Sequence, residues 1–171
     1  MPEPVILALG SNLGDRESHL QTAANRLAGI DKTAMIVASD LYETEPVGVP
    51  TPQPDYLNQV LVLETGLPPE QLLAACQAIE QALGRPDDHQ PLSPRTIDID
   101  LIAYGTMIIS SPALTLPHPR YHQRRFVLEP LAEVRPQFKD PRSGRTVTAL
   151  LAACRDGARV IRRRTTEVVA C

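Results

Sequence analysis

Proline sets the strongest limits on where helices and strands can lie in this chain. It accounts for 17 of the 171 residues, about twice its usual share of roughly 5%. Because proline has a fixed φ and no backbone N–H, it is disfavoured inside helices and central strands. Many of the prolines cluster at 46–54, 86–94 and 117–119. These clusters predict stiffened loops, and such loops commonly carry the residues that bind a ligand.

Beside these loops, apolar residues recur with the spacings typical of short strands and helices. Asp15 and Gly29 bound the first helix, as its N-cap and as the residue that ends it. We predict strands at 5–9, 33–42, 56–64, 96–104, 107–110 and near Val160, and helices at 15–29, 68–84, 126–133 and 147–154. The strand at 56–64 is apolar on both faces and is therefore predicted to be central. The interleaving has no strict βαβ rhythm, which favours an α+β sandwich with helices packed against one sheet.

The bulk composition predicts one domain spanning residues 1–171, because domains most often contain roughly 100–150 residues. The formal net charge of −3 argues against a nucleic-acid or membrane-surface protein, which usually has a basic excess.

No charged leader is recognisable and no apolar run approaches the roughly 20 residues of a membrane span, so we expect a cytoplasmic location. The three cysteines form no CxxC pair, which predicts reduced core residues.

The strongest chemical signal is a pair of carboxylates in an apolar strand, Asp98 and Asp100. Residues two apart on a strand share a face, so the carboxylates project together while Ile97, Ile99 and Leu101 point into the core. Neighbouring carboxylates repel each other and are costly to bury unpaired. A bound Mg²⁺ relieves that cost, since this ion prefers one or two carboxylates together with phosphate oxygens. The alternative is a solvated strand face whose two acids lie together by chance.

Arginines in the predicted loops are candidate phosphate ligands, because the planar guanidinium group can bind phosphate through two hydrogen bonds. They are Arg85, Arg95, Arg120, Arg124 and Arg125, and each is also compatible with a plain surface role. His118, between two prolines, is a candidate hydrogen-bond donor in a stiff loop. The turn GSNLG at 10–14 is a weak signal. It lacks the Lys-Ser/Thr of a phosphate-binding loop and the glycine spacing of a dinucleotide fold.

Several short motifs occur in a fixed order along the chain. They are LGSNLG at 9–14, YETEP at 42–46, DYLN at 55–58 and PRTIDID at 94–100, followed by Pro117, His118, Arg124 and Phe126. Together they closely resemble the 6-hydroxymethyl-7,8-dihydropterin pyrophosphokinase family, whose members act in folate biosynthesis. The resemblance covers roughly residues 5–133, and it is the combination of motifs that makes it specific.

The resemblance implies a ferredoxin-like α+β fold, ATP as co-substrate with two Mg²⁺ ions, and hydroxymethyldihydropterin as the acceptor of pyrophosphate. Asp98 and Asp100 would bind both ions, and with Arg85 and Arg95 they would be the catalytic residues. The pterin pocket would contain Thr44, Val47, Tyr56, Asn58 and Phe126. The nucleotide site would contain Gln77, Glu80, Arg85, Arg95, Leu101, Thr115, His118 and Arg124. We expect small-molecule substrates, no nucleic-acid or membrane partner, and a monomer.

The loop at 85–95 departs from the family pattern. Asp87 and Asp88 stand where positive charge would favour ATP, Leu92 replaces an aromatic residue, and Ser93 replaces a glycine. These differences bear on how tightly the loop closes over the nucleotide rather than on the reaction.

On the residues alone, two other functions stay open. A nucleotidyl transferase or nuclease could use the same pair of carboxylates, and AMP and pterin diphosphate as products would exclude it. A non-catalytic RNA-binding module of ferredoxin-like fold is the second alternative. The acidic balance and the lack of an aromatic RNA-binding stretch argue against it.

Overall fold

A six-stranded antiparallel sheet forms the centre of the molecule. The computed structural model describes residues 3–46, 52–84 and 96–163. In chain order, the elements of this part are β1 (Glu3–Ser11), α1 (Arg16–Ala28), β2 (Thr33–Ala38), β3 (Leu41–Thr44), β4 (Tyr56–Thr65), α2 (Pro69–Ala82), β5 (Asp98–Tyr104), β6 (Ile109–Ser110), β7 (Thr115–Leu116), a 3₁₀ turn (Tyr121–Gln123), α3 (Arg125–Val134), α4 (Val147–Ala153) and β8 (Val160–Arg163).

Strand β4 lies inside the sheet, as its apolar sequence predicted. The strand order is β5-β1-β4-β3-β8, and β2 also pairs with β4. The register places Ser11 opposite Leu57, so β1 ends where β4 begins. Thr44 at the end of β3 lies opposite Tyr56, and Asp98 at the start of β5 lies opposite Gly10. The ends of four strands, β1, β3, β4 and β5, therefore meet at one end of the sheet.

The helices cover both faces of the sheet. On one face, α1 and α2 pack Leu27 and Leu72 into a cluster with Leu7 of β1. On the other face, α3 and α4 pack residues such as Leu131 against Val60 of β4. Because successive strand residues point to opposite faces, β1, β4 and β5 each contribute buried residues to both clusters. Each fully buried aliphatic side chain stabilises the fold by about 1.5–3 kcal/mol relative to an exposed one.

The ends of the first two helices agree with the sequence prediction. Asp15 caps α1, where its carboxylate accepts a hydrogen bond of 3.1 Å from the Ser18 N–H, and Gly29 ends that helix. Pro69 occupies the first turn of α2, where its missing N–H costs no helical hydrogen bond. Gly84 follows α2 with a φ of +98°, a left-handed conformation that glycine adopts without strain.

The segment 33–42, predicted as one strand, forms the two strands β2 and β3 instead. The interruption is at Ser39, whose hydroxyl accepts a hydrogen bond of 2.9 Å from the Val60 N–H in place of a backbone carbonyl. The next N–H, that of Asp40, donates to the Glu133 carboxylate of α3 rather than to β4. Side-chain hydrogen bonds of this kind compete with strand pairing, and the hydrophobic spacing gave no sign of them.

The predicted strand at 107–110 is shorter in the structure, where β6 contains only Ile109 and Ser110. A tight turn precedes it, because the Met107 N–H donates to the Tyr104 carbonyl oxygen. β6 pairs with β7 and not with the main sheet.

Strand β8 forms an edge of the sheet and carries arginines that pair with nearby acids. Arg162 lies 2.8 Å from the Asp40 carboxylate, and Arg163 lies 2.8 Å from that of Glu17. Exposed ion pairs of this kind typically contribute less than about 1 kcal/mol. Arg164, the third consecutive arginine, lies outside the described residues.

Within residues 3–46, 52–84 and 96–163, no helix combines the length and apolar character needed to cross a membrane.

Candidate active site

A cavity of about 520 Å³ opens at the end of the sheet where these four strand ends meet. Its floor is formed by the sheet face that α3 and α4 cover, and its roof by the start of α3 and a segment that follows α4. The lining residues are Ala8, Leu9, Gly10, Thr44, Glu45, Pro46, Tyr56, Asn58, Asp98, Asp100, Gln123, Arg124, Phe126 and Asp156.

Asp98 and Asp100 project from β5 into this cavity, as the alternation along the strand predicted. Both are half-buried, whereas Ile99 between them is 5% exposed and packs on the opposite face. The Ile99 N–H donates a hydrogen bond of 2.9 Å to the carboxylate of Glu80 on α2. Glu80 therefore holds the strand at the point from which the two carboxylates project.

The carboxylate pair suits a magnesium ion bound together with phosphate. Within the described ranges, no group of three or more His, Cys, Asp or Glu side chains could enclose a metal ion. Asp98 and Asp100 can thus supply only part of a coordination shell. Mg²⁺ is usually held in this way, by one or two carboxylates while water and phosphate oxygens complete the octahedron. The donor set therefore fits Mg²⁺ in the presence of a phosphorylated substrate.

Asn58 and Thr44 form a buried polar pair on the cavity floor. Asn58 is 6% exposed and Thr44 is 3% exposed. The Asn58 side-chain amide donates a hydrogen bond of 2.6 Å to the Thr44 hydroxyl. Its amide oxygen is directed towards Gly10. A flat heterocycle with polar edge groups could exchange hydrogen bonds with this amide.

Arg124 and Phe126 form the roof of the cavity. The guanidinium carbon of Arg124 lies 5.7 Å from the centre of the Phe126 ring, which is within the range of a cation–π contact. Within the described part of the chain, Arg124 forms no ion pair with a carboxylate. Its charge is therefore available to an anionic ligand, while Phe126 and Tyr56 offer ring faces to an aromatic one.

Comparison with known sequences assigns this chain to a family. The sequence profile of 7,8-dihydro-6-hydroxymethylpterin-pyrophosphokinase (HPPK) matches residues 6–136. The chain belongs to the HPPK family.

Individual proteins agree with this assignment. The chain is 40% identical over 154 residues to 2-amino-4-hydroxy-6-hydroxymethyldihydropteridine pyrophosphokinase of Pseudomonas aeruginosa, an alignment that covers 90% of this chain and 93% of that protein. It is 41% identical over 135 residues to a folic acid synthesis protein of Schizosaccharomyces pombe, covering 79% of this chain and 18% of that protein.

Solved structures support the fold. The crystal structure of Plasmodium falciparum HPPK-DHPS with pterin and p-hydroxybenzoate superimposes with a TM-score of 0.70 at 16% identity, covering 89% of this chain and 43% of that one. The present chain therefore spans less than half of that protein. At this identity the likeness concerns the fold alone, and it confirms the predicted ferredoxin-like α+β class.

Several residues predicted from the resemblance to the HPPK family line the cavity. They are Thr44, Tyr56, Asn58, Asp98, Asp100, Arg124 and Phe126. Others lie in the described ranges but not in the cavity lining, namely Gln77, Glu80, Leu101, Thr115 and His118. Val47, Arg85 and Arg95 lie outside the described residues, as do Asp87 and Asp88. The roles of all these residues stay predictions.

Two of the residues that do not line the cavity have evident structural contacts. Glu80 is 8% exposed and its carboxylate holds β5, as described above. Leu101 is 5% exposed and belongs to the cluster beneath α1 and α2. Gln77, in contrast, is exposed on α2. A nucleotide role for Glu80 or Leu101 would therefore act through the position of β5 or through main-chain atoms.

Gln123 and Asp156 line the cavity but were missed by the sequence reasoning. Gln123 precedes Arg124 in a 3₁₀ turn and has no spacing that marks it. Asp156 follows α4 and lies beyond every motif that carried the resemblance, and beyond the residues matched by the HPPK profile. Only the folded chain brings it to the cavity.

His118 is half-buried and held in one tautomer. Burial, followed by the positive charges of Arg124 and Arg120, lowers the pKa of His118 from 6.5 to about 4. Its Nδ1 accepts a hydrogen bond of 3.1 Å from the Arg120 N–H, so the proton of the neutral ring resides on Nε2. At neutral pH, His118 therefore offers an N–H donor and carries no positive charge.

The lowered pKa of His118 predicts how stability changes with pH. The unfolded chain takes up this proton near pH 6.5 and the folded chain only near pH 4. The stability contribution is thus fully present above pH 6.5 and is lost as the pH falls towards 4. We expect His118→Gln to lose less free energy of unfolding than the wild type between pH 7.5 and 4.5, measured by urea unfolding. The exposed His122→Gln variant serves as control, and an equal loss in His118→Gln and wild type would contradict the assignment.

Proposed function

We propose that this chain transfers pyrophosphate from ATP to 6-hydroxymethyl-7,8-dihydropterin, giving AMP and the pterin diphosphate in folate biosynthesis. The observation that carries the proposal is the composition of the single cavity described above. Asp98 and Asp100 lie in it together with Asn58, Tyr56 and Phe126. A metal-dependent phosphate site and a pocket for a flat polar ring are thereby combined in one space of about 520 Å³.

The pterin is proposed to lie between the ring faces of Tyr56 and Phe126, with its polar edge towards Asn58. The buried amide of Asn58 supports this arrangement, because a buried polar group favours a ligand that satisfies its hydrogen bonds. Thr44 fixes the orientation of the amide through the bond of 2.6 Å. We include Val47 in this pocket on the strength of the family resemblance.

The floor of the pocket at Gly10 leads to a prediction. A Cβ on Gly10 would lie 2.9 Å from the Asn58 amide oxygen and 3.5 Å from a Tyr56 ring carbon. Gly10→Ala should therefore displace Asn58 and weaken pterin binding roughly tenfold, since overpacking costs about 1–3 kcal/mol. Isothermal titration calorimetry with the pterin checks this.

Gly29→Ala is the matched control for Gly10→Ala. A Cβ on Gly29 would make only ordinary contacts, at 3.6 Å, and this residue lies at the end of α1 away from the cavity. Its pterin affinity should equal that of the wild type. Unchanged pterin affinity in Gly10→Ala would show that the floor of the cavity does not contact the ring.

The nucleotide is proposed to bind beside the two carboxylates. Two Mg²⁺ ions held by Asp98 and Asp100 would neutralise the charge that develops on the transferred group. Arg124 is positioned to contact phosphate from the roof. Following the family resemblance, Arg85 and Arg95 complete the catalytic set, and Gln77, Glu80, Leu101, Thr115 and His118 complete the nucleotide site. The neutral His118 would contribute an Nε2–H donor.

The reaction is proposed as a direct in-line displacement. The hydroxymethyl oxygen of the pterin attacks the β-phosphorus of ATP and forms a new O–P bond. The bond between the β-phosphorus and the oxygen that bridges to the α-phosphate breaks, AMP leaves, and the hydroxyl proton is released. Transfers of this kind depend on positioning and charge neutralisation. A Ser, Cys or His nucleophile is not required, and burial raises the pKa of the Cys76 thiol to about 12, which keeps it protonated.

Product analysis tests the proposed function directly. ATP labelled at the β-phosphorus is incubated with Mg²⁺, the pterin and the protein, and the products are separated by chromatography. We expect the label in the pterin diphosphate and stoichiometric AMP, with neither formed when the pterin is omitted. Release of inorganic pyrophosphate with a nucleotidylated product would instead favour a nucleotidyl transferase and overturn the proposal.

We further propose that residues 1–171 form one catalytic domain that acts as a cytoplasmic monomer on small-molecule substrates. Both hydrophobic clusters pack on the two faces of the same sheet, which supports a single folding unit. The net charge of −3 supports a role without nucleic acid. Light scattering in solution checks the monomer.

A further inference from the structure

The first turn of α3 carries the roof of the cavity but has weak support of its own. Its N-cap residue, Arg124, makes no side-chain hydrogen bond to the helix, and Pro130 lies within the ten-residue helix. Pro130 cannot donate the helical hydrogen bond to the carbonyl of Phe126. The first N–H groups of a helix need partners outside the helical ladder. The placement of Arg124 and Phe126 therefore depends on contacts from elsewhere in the chain.

Asp156 supplies such a contact from the segment that follows α4. Its carboxylate accepts a hydrogen bond of 3.1 Å from the Arg125 N–H, the first of the helix. Its main-chain carbonyl accepts a second, of 3.0 Å, from Nε of Arg125. The other carboxylate oxygen accepts from the Ala158 N–H at 2.9 Å, which fixes the conformation of Asp156 itself. A residue distant in sequence thus caps α3.

The same segment is also attached to the opposite wall of the cavity. The Arg159 N–H donates a hydrogen bond of 2.9 Å to the carboxylate of Glu45, which follows β3. The Arg159 guanidinium lies 3.4 Å from the carboxylate of Asp55, just before β4. Asp156 is therefore held between the start of α3 and the strand ends that carry Thr44 and Tyr56.

We propose that Asp156 is a positioning residue for the pterin pocket, which caps α3 and thereby holds Phe126 and Arg124 over the cavity floor. The proposal rests on the proposed function, since the ligand used to test it is the pterin. It adds a residue from outside the 6–136 region that matches the HPPK profile. Its effect on the ligand is indirect, through the orientation of α3.

Two variants of Asp156 and one matched control test this role. Asp156→Ala removes both carboxylate hydrogen bonds, whereas Asp156→Asn keeps one acceptor oxygen for the Arg125 N–H. Thr146→Ala removes a comparable cap from α4, where the Thr146 hydroxyl accepts from the Ala149 N–H at 3.2 Å, and Thr146 does not line the cavity. Amide hydrogen exchange at the first turn of α3 and steady-state kinetics with the pterin are measured for each.

We expect Asp156→Ala to speed exchange in the first turn of α3 and to raise the KM for pterin, each roughly tenfold, because losing a helix cap typically has an effect of this size. The kcat should change less than about threefold, and Asp156→Asn should remain near the wild type. Thr146→Ala should lower the Tm but leave the exchange rate in the first turn of α3 and the KM for pterin unchanged.

Three results would overturn the role of Asp156. Unchanged exchange in Asp156→Ala would mean that it does not cap α3. An equal KM increase in Thr146→Ala would mean that general destabilisation is responsible. A defect in Asp156→Asn as large as that in Asp156→Ala would mean that the charge acts on the ligand. If the wild type makes no pterin diphosphate, the proposed function fails, while the exchange measurement still decides whether Asp156 caps the helix.

Discussion

Asp98→Asn and Asp100→Asn are each expected to lower kcat at least roughly 100-fold while the protein stays folded. Asparagine has nearly the shape of aspartate but no charge, so each variant weakens metal binding while preserving the size of the side chain. Both carboxylates face the cavity and not the apolar cluster beneath α1 and α2. The fold should therefore tolerate the exchange. Initial rates at saturating ATP and pterin, with thermal melting as a check on folding, measure the effect.

The exposed Asp31→Asn variant is the control for the loss of one negative charge. Asp31 follows α1 and does not line the cavity, so its kcat should equal that of the wild type. Raising the Mg²⁺ concentration should restore part of the lost rate if weakened metal affinity is the cause. Near-normal turnover of either cavity variant at modest Mg²⁺ concentration would refute the assignment of the carboxylates.

The second large effect is expected for Asn58→Ala, which should weaken pterin binding by roughly 1–3 kcal/mol, or about 5- to 150-fold. The variant removes the buried amide that is proposed to bond to the ring edge, and it leaves the Thr44 hydroxyl without its donor. ATP affinity should be nearly unchanged, because Asn58 projects from β4 and the metal carboxylates from β5. Calorimetric titrations with each ligand separately measure the difference.

Asn25→Ala is the matched control for the removal of an amide. Asn25 lies on the exposed side of α1, where its side chain pairs with Gln21, and neither ligand should sense its loss. An equal loss of pterin and ATP affinity in Asn58→Ala would show that Asn58 supports the whole cavity and does not recognise the ring.

The shared orientation of the two carboxylates could be predicted from strand periodicity, whereas pocket residues such as Asn58 were predicted only through the resemblance to the HPPK family. Asp98 and Asp100 share a face because they are two residues apart on a strand, and the structure places both in the cavity while Ile99 is buried behind them. The central position of β4 followed from its two apolar faces. Caps such as Asp15 followed from local chemistry. The predictions from periodicity and from caps depend on residues close together in sequence.

The parts that could not be predicted depend on contacts between distant segments. Asp156 caps α3 across 31 positions, and nothing near Arg125 in sequence indicates this partner. Glu80 was predicted in the nucleotide site, while its helical spacing alone could not show that its carboxylate contacts the Ile99 N–H. The interruption between β2 and β3 depends on the Ser39 hydroxyl replacing a carbonyl in the pairing with Val60.

The hydrogen bond from Ile99 to Glu80 has a consequence for how β5 keeps its alignment. A strand that shifts by one residue turns every side chain to the opposite face. Such a shift of β5 would direct Ile99 into the polar cavity and place the two carboxylates among aliphatic side chains. β5 lies at an end of the strand order, so on one side no strand from the described part of the chain pairs with it and resists this shift. The hydrogen bond from the Ile99 N–H to Glu80 stabilises the correct alignment of β5. The geometry of the proposed metal site therefore depends on α2, a helix on the far side of the sheet.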